Sequence, residues 1–585
     1  MYKYLLTILV LVTFVACMTE EQQSERILRH YIDTKVGLIR NYSIESSVAT
    51  WNATVSGNDS DYQKLIDLDF DFTKANKNIS ESFSPDRFAP FSKNVFTNEQ
   101  DFQMLRKLKY SGLIKDTLLN RQLNVLYQTF MGSQIETDRY KTLIMNEIKL
   151  WRGTSVPEAV IRGKTYKSRQ IDSIRKNTND ITVLFDIAEV FRHKGQSIAP
   201  DILRLVKERN DYASRFGYPD FYHLALESKD QTPEEVGNLL ADIELKTRMQ
   251  FFRAKNIIDK MLAKRYGISI AGLRPWNYND ERASYLSGKF VPGIDSLFNG
   301  VDPIATTARF FDGIGLPVQD VIDNSNLKDT PEKKGITSMI NVDFRNDIRL
   351  IAGIKSNTYD GMFRMMHLGG HAAHYKYISD DVPYLLKAPS SALGEGISRY
   401  FEMLASNYDW LNEFVRIDSI KQKKRVLIFQ YMQRVDGLFR CRKLLVNAEF
   451  EREIYRDPEQ NLDSLWSALN LKYLGLKFPV AKNAGYWATN KFATSLSCSV
   501  HNLVLADVFA AQLHHTIEKK VLKKTSNGYS GNKEIGRYLV ANLFRYGNLL
   551  PWNSLIERAT GEPLNAVYLV DQLLGDETDM PEKSF

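Results

Sequence analysis

Cysteine is almost missing from this chain: three in 585 residues, at Cys17, Cys441 and Cys498. That excludes a disulfide framework and a zinc finger built from cysteines. Cys441 and Cys498 are left as either one bridge or two buried thiols, and free cysteine is commonly buried. Long apolar runs are also lacking. Beyond the first residues, none reaches the ~18 consecutive apolar positions that a membrane-spanning helix needs. Charge of one sign is scarce too. The 77 Lys and Arg stand against 70 Asp and Glu, and the net +7 is too mild an excess for a nucleic-acid-binding surface. The basic runs Lys421–Arg425 and Lys519–Lys524 read as solvated helix faces. Internal repeats and low-complexity linkers are absent, so the chain reads as one large body over residues 17–585.

Residues 1–16 read differently. A short start carrying Lys3 precedes an apolar stretch from Leu5 to Ala16, the pattern of an export signal. Cys17 follows Ala16 directly, an arrangement similar to the lipobox of bacterial lipoproteins, although Phe14 stands where that pattern usually has an aliphatic residue. The resemblance implies lipidation of Cys17. It also implies an exported bacterial lipoprotein, held to a membrane on the periplasmic or cell-surface side.

What is abundant is helical periodicity. Ile202, Leu205, Val206, Tyr212, Ala213 and Phe216 share a helical face, with Asp201 as the expected N-cap and Gly217 as the stop. Leu503, Val504, Val508, Phe509 and Leu513 form another such face, and Ser554–Ala559 closes at Gly561. Residues 336–353 are the best strand candidate, a hairpin turning near Asn346-Asp347. The polar stretches 52–60 and 320–335 read as loops. The expected fold is nearly all-α with one small β-hairpin.

Only nine histidines occur, and three fall within eight residues: His367, His371 and His374. On a helix, positions i and i+4 share a face, so His367 and His371 can reach one tetrahedral metal ion. Such a pair is equally compatible with structural histidines; His374 reads as a packing residue. Glu395 lies 24 residues past His371, beyond a loop with Asp380, Asp381 and Pro383, where an antiparallel helix pair would let it face the two histidines.

This pattern resembles the angiotensin-converting-enzyme family of zinc peptidyl-dipeptidases and its bacterial oligopeptidase relatives. The family motif is His-Glu-x-x-His followed by a Glu 24 residues after the second His. Similar segments continue outside the motif, in family order: Arg209-Asn210-Asp211-Tyr212-Ala213 with Gly217, Leu273-Arg274-Pro275-Trp276, Asp347-Ile348-Arg349, Tyr384-Leu385-Leu386-Lys387, His501-Asn502, Phe509-Ala510-Ala511-Gln512-Leu513 and Gly561-Glu562-Pro563-Leu564-Asn565. The resemblance implies a large helical ellipsoid with a deep central cleft between two halves. It implies zinc on His367, His371 and Glu395 at the cleft floor, and a peptide held through its C-terminus by Lys491.

The catalytic positions depart from the family. Its general base falls on Leu368, which cannot take a proton from zinc-bound water. The oxyanion-stabilising His and Tyr fall on Ala493 and Leu503, a second cleft Tyr on Val500, and a further cleft His near Ser338. An acid expected four residues after the third ligand is Arg399, an i+4 partner for Glu395 that would weaken it as a metal ligand. Losing a base costs about 10²–10⁴-fold in rate and losing an oxyanion donor about 10²–10³-fold. The expected protein is therefore a non-catalytic relative that binds peptides, with zinc as its candidate cofactor. It would have no nucleic-acid partner, would reach the membrane through its lipid, and leaves room for a protein partner. The alternative is an active zinc-dependent peptidyl-dipeptidase with a displaced base, Glu402 or His374.

Overall fold

The computed structural model describes residues 18–77, 99–133, 159–278, 293–330, 337–417, 419–478, 485–489, 498–522, 528–529 and 531–575. Long helices dominate them because the chain supplies both apolar periodicity and well-made helix ends. α1 (Glu20–Ser56) opens with a capping box: Gln22 N–H donates to the Thr19 hydroxyl, and Thr19 N–H donates back to the Gln22 side chain. It closes at Gly57 in the left-handed conformation. The stretch 52–60, expected as a loop, thus runs in helix to Ser56, and the next helix starts at Asp59. Of the stretch, only Gly57 and Asn58 lie between helices.

α2 (Ile181–Arg215) corrects a second expectation. Its N-cap is Asp180, whose carboxylate accepts from Thr182 and Val183 N–H, and Asp201 lies in mid-helix beside Pro200. An interior proline costs about 3 kcal/mol or more. Leu184 and Ile187 before it and Ile202, Leu205 and Val206 after it are all buried, and that packing on both sides holds the helix continuous through it. α3 (Pro233–Tyr266) and α4 (Pro303–Gly313) both start with proline at the first turn behind a capping Thr232 or Asp302.

Two small sheets interrupt the helices. β1 (Ala159–Ile161) and β2 (Lys164–Tyr166) form a hairpin over Arg162-Gly163, both at positive φ. β3 (Asn326–Lys328), β4 (Thr337–Asn341) and β5 (Ile348–Ile354) form the second, in the order β3-β5-β4. The β4/β5 pair is the hairpin expected over 336–353, in antiparallel register from Thr337↔Ala352 to Asn341↔Ile348. Asp343 builds its turn by accepting from the N–H groups of Arg345, Asn346 and Asp347. β3 adds a parallel strand from within the stretch 320–335; three residues are too few to show alternation.

The centre of the fold is a set of closely approaching helices: α5 (Tyr359–Lys376), α6 (Ser391–Leu404), α7 (Ile420–Arg456) and α8 (Val500–Ile517), followed by α9 (Trp552–Thr560) and α10 (Val567–Leu574). α5 packs on α4, β5 and α6; α6 packs in turn on α8. Glycines set these distances. A Cβ on Gly369 would sit 2.4 Å from the Phe311 ring of α4, and one on Gly370 would sit 2.8 Å from the Cα of Ser398 on α6. Polar ties join distant segments. Arg209 donates to the Tyr455 hydroxyl and Asn210 to the Tyr455 carbonyl, tying α2 to α7. Gln512 of α8 donates to Thr560 and Pro563 and accepts from Asn565 N–H. Cys441 and Cys498 are free, buried thiols. Among the described residues no helix is long and apolar enough to cross a membrane.

His501 anchors a buried chain. Its Nε2 lies 2.7 Å from Gln231 Oε1, Gln231 donates to Asn502 at 2.7 Å, and Asn502 donates to Ser391 Oγ at 3.2 Å. Gln231 offers an oxygen there, so a proton sits on Nε2. Burial, reinforced by the charge of Lys229, pushes its pKa down from 6.5 to about 3.

Two predictions follow from this packing. Gly370→Ala forces backbone against backbone and should cost about 1–3 kcal/mol. Gly237→Ala, on α3 with open space around it, should instead add about 0.5–1 kcal/mol. Chemical denaturation of both variants reads the contrast. As pH falls below 6.5 the unfolded chain binds a proton that folded His501 refuses. Stability should therefore drop by about 1.4 kcal/mol per pH unit from this group, levelling near pH 3. Melting temperatures of wild type and His501→Gln across pH 7.5 to 4.5 (roughly the span where histidine titrates) should diverge, the variant showing the shallower fall.

Candidate functional site

His367 and His371 stand one turn apart on α5 with ring centroids 4.9 Å apart. Both are partly buried against α6, because Gly370 lets that helix approach. Ser390 caps the α6 N-terminus by accepting from Leu393 N–H, and the first turn then presents Glu395. The Oε2 of Glu395 lies 3.8 Å from Nε2 of each histidine. One ligand atom from each of the three residues falls within 4.8 Å of the others. In a tetrahedral zinc shell, neighbouring ligand atoms lie roughly 3.4 Å apart, so a small contraction would bring the carboxylate into range.

One further contact fits a metal: His367 Nδ1 lies 2.7 Å from Glu402 Oε2, the kind of outer carboxylate that orients a metal-binding histidine. Against a metal stand the Nδ1 of His371, buried with no such partner among the described residues, and Arg399. Its Nε donates to Glu395 Oε1 at 3.1 Å, its Nη1 donates to Glu402 Oε1, and its Nε is 3.9 Å from Asp507 of α8. Asp507 is held in turn by Arg440 of α7 at 2.7 Å.

Burial opposes the charge on Glu395, but His367, His371 and Arg399 outweigh it and hold the carboxyl well below its usual range. Burial likewise opposes the charge on Glu402, and Arg399 and His367 keep it lowered. Desolvation dominates at His371 and lowers its pKa. Burial also works against Arg399, which Glu402, Glu395 and Asp507 keep charged.

The positions expected to lack catalytic groups are equally informative. Leu368 is fully buried and belongs to the hydrophobic core. Val500 is buried at the start of α8, Leu503 is half-buried one turn on, and Ser338 lies in β4. His374 is fully buried, 5.2 Å from the Phe544 ring, with neither ring nitrogen partnered among the described residues; it packs, as expected. Lys491, Ala493 and Cys17 lie outside the described residues.

Sequence reasoning weighed Glu402 as a base and as an i+3 partner of Arg399, which it is, but did not place it beside His367, and missed Asp507 and Arg440. The available signal was a lone carboxylate amid the apolar residues of α8, flanked by Ala506 and Val508. No family model matches the chain, and no curated protein is significantly similar to it.

The charges decide how a metal would fare. Glu395, Glu402 and Asp507 face Arg399 and Arg440. With neutral imidazoles the cluster is one positive charge short; a divalent ion would leave it one in excess. Replacing Arg399 by a neutral residue shifts that balance to exact neutrality in the metal-bound form. Arg399→Gln should therefore bind zinc at least about tenfold more tightly than wild type, and His371→Ala more weakly than either. Competition against a chromophoric chelator measures all three.

Proposed function

We propose that this chain is a non-catalytic relative of zinc peptidyl-dipeptidases, an exported lipoprotein that binds peptides in its cleft. The single observation carrying this reading is the burial of Leu368 in the hydrophobic core between the two metal-type histidines. A peptidase of this kind needs a proton acceptor at that position to activate zinc-bound water and return the proton to the leaving amine. A leucine packed in the core does neither. His367, His371 and Glu395 would hold zinc, which when bound would offer a Lewis-acid point for a peptide carbonyl or carboxylate. Lys491 would hold the C-terminus.

A displaced base has little support. Glu402 is already engaged by Arg399 and His367. His374 is sealed against Phe544.

With zinc supplied, the protein should leave a mixed peptide pool uncleaved over days, as followed by mass spectrometry. It should bind members of that pool saturably. Cleavage by wild type that disappears in His371→Ala would overturn the non-catalytic reading. Absence of binding across the pool would overturn the peptide-binding one.

A further inference from the structure

A cavity of about 640 Å³ lies between α6, α7, α8 and α10. Its lining includes Arg399 and Glu402 but neither metal-type histidine nor Glu395. The volume is in the range of small-molecule sites, roughly 300–1,000 Å³. Its polar wall comes largely from one face of α7, where Asp436, Arg440, Lys443 and Asn447 recur at helical spacing. The facing wall is apolar, with Phe363, Met403, Leu569 and Leu573.

Four cations (Arg399, Arg434, Arg440 and Lys443) line this space against three carboxylates (Glu402, Asp436 and Asp507). The carboxylates are already committed, Asp436 among them. Glu402 is held by Arg399 and His367, and Asp507 by Arg440. The donors are not all used. Arg440 spends Nη1 on Asp507, while its Nη2 is buried without a hydrogen-bond partner among the described residues. Lys443, one turn on, has no ion pair or hydrogen bond among the described residues. A buried guanidinium nitrogen left unmatched beside a second unmatched ammonium calls for an acceptor carrying negative charge.

We infer that this cavity binds a small organic carboxylate with an apolar body. The carboxylate meets Arg440 Nη2 and Lys443, and the body lies against Phe363, Leu569 and Leu573. An inorganic anion would leave the apolar wall empty. A neutral apolar molecule would leave Arg440 Nη2 unmatched and desolvated. The site goes beyond the peptide-binding reading and needs neither zinc nor a peptide.

Decanoate is the probe, titrated calorimetrically into the purified full chain with a chelator present; decan-1-ol and acetate serve as controls. Decanoate should bind with one site per chain, and each control at least about tenfold more weakly, since one lacks the charge and the other the body. Lys443→Gln should weaken decanoate about tenfold without moving the melting temperature, and Arg440→Gln should weaken it further. Lys423→Gln, at an exposed position of the same helix, should leave it unchanged. No binding of decanoate, equal binding of decan-1-ol, or full affinity in Lys443→Gln would overturn the assignment. Because chelated protein and a non-peptide probe are used, either reading can fail without the other.

Discussion

The contact between α5 and α6 governs what the rest of the molecule can do. Gly370 brings the backbone of one helix against the Cα of Ser398 on the other, and Gly369 does the same toward Phe311. A side chain larger than hydrogen at either place would push α5 away, because the obstructing groups are backbone or a core ring rather than a mobile side chain. With the helices this close, Glu395 reaches two histidines, and Glu402, two turns along the same helix, reaches the outer nitrogen of His367. The cluster therefore follows from helix packing, not from loop placement. Rigid helices hold a constellation more closely than loops do.

Arg399 gives that cluster its particular character. A buried carboxylate trio needs positive charge, and a metal ion is one way to supply it. A guanidinium bridging Glu395, Glu402 and Asp507 is another. The two compete for Glu395, since Oε1 already accepts from Arg399 and only Oε2 faces the imidazoles. Arg440 extends the chain of alternating charge to the cavity beside α7. Charge alternates along the path, from Glu395 and Glu402 through Arg399 and Asp507 to Arg440.

Much of this was legible in the residues themselves. The spacing of His367, His371 and Glu395 predicted their meeting, and the Arg399 ion pair followed from an i+4 relation. The hairpin at β4/β5 was visible because Ile348, Leu350 and Ala352 recur with the period of a strand. Asp201 misled because a good capping residue beside a proline looks like a helix start. Only the buried residues on both sides reveal that α2 runs through. Asp507 and Arg440 were not legible, because their pairing joins helices 67 positions apart and no local period announces it.

The same physics bears on what a leucine at position 368 does for the fold. A catalytic carboxylate beside a metal is a buried charge that helps only when the metal and substrate are present. Leu368 carries no such cost and adds a side chain to the core that joins α5 to its neighbours. The two histidines and Glu395 carry less of a penalty, because Glu402 and Arg399 supply partners whether or not a metal is there. The arrangement brings polar groups of α5 and α6 together around a leucine that can neither take up nor return a proton.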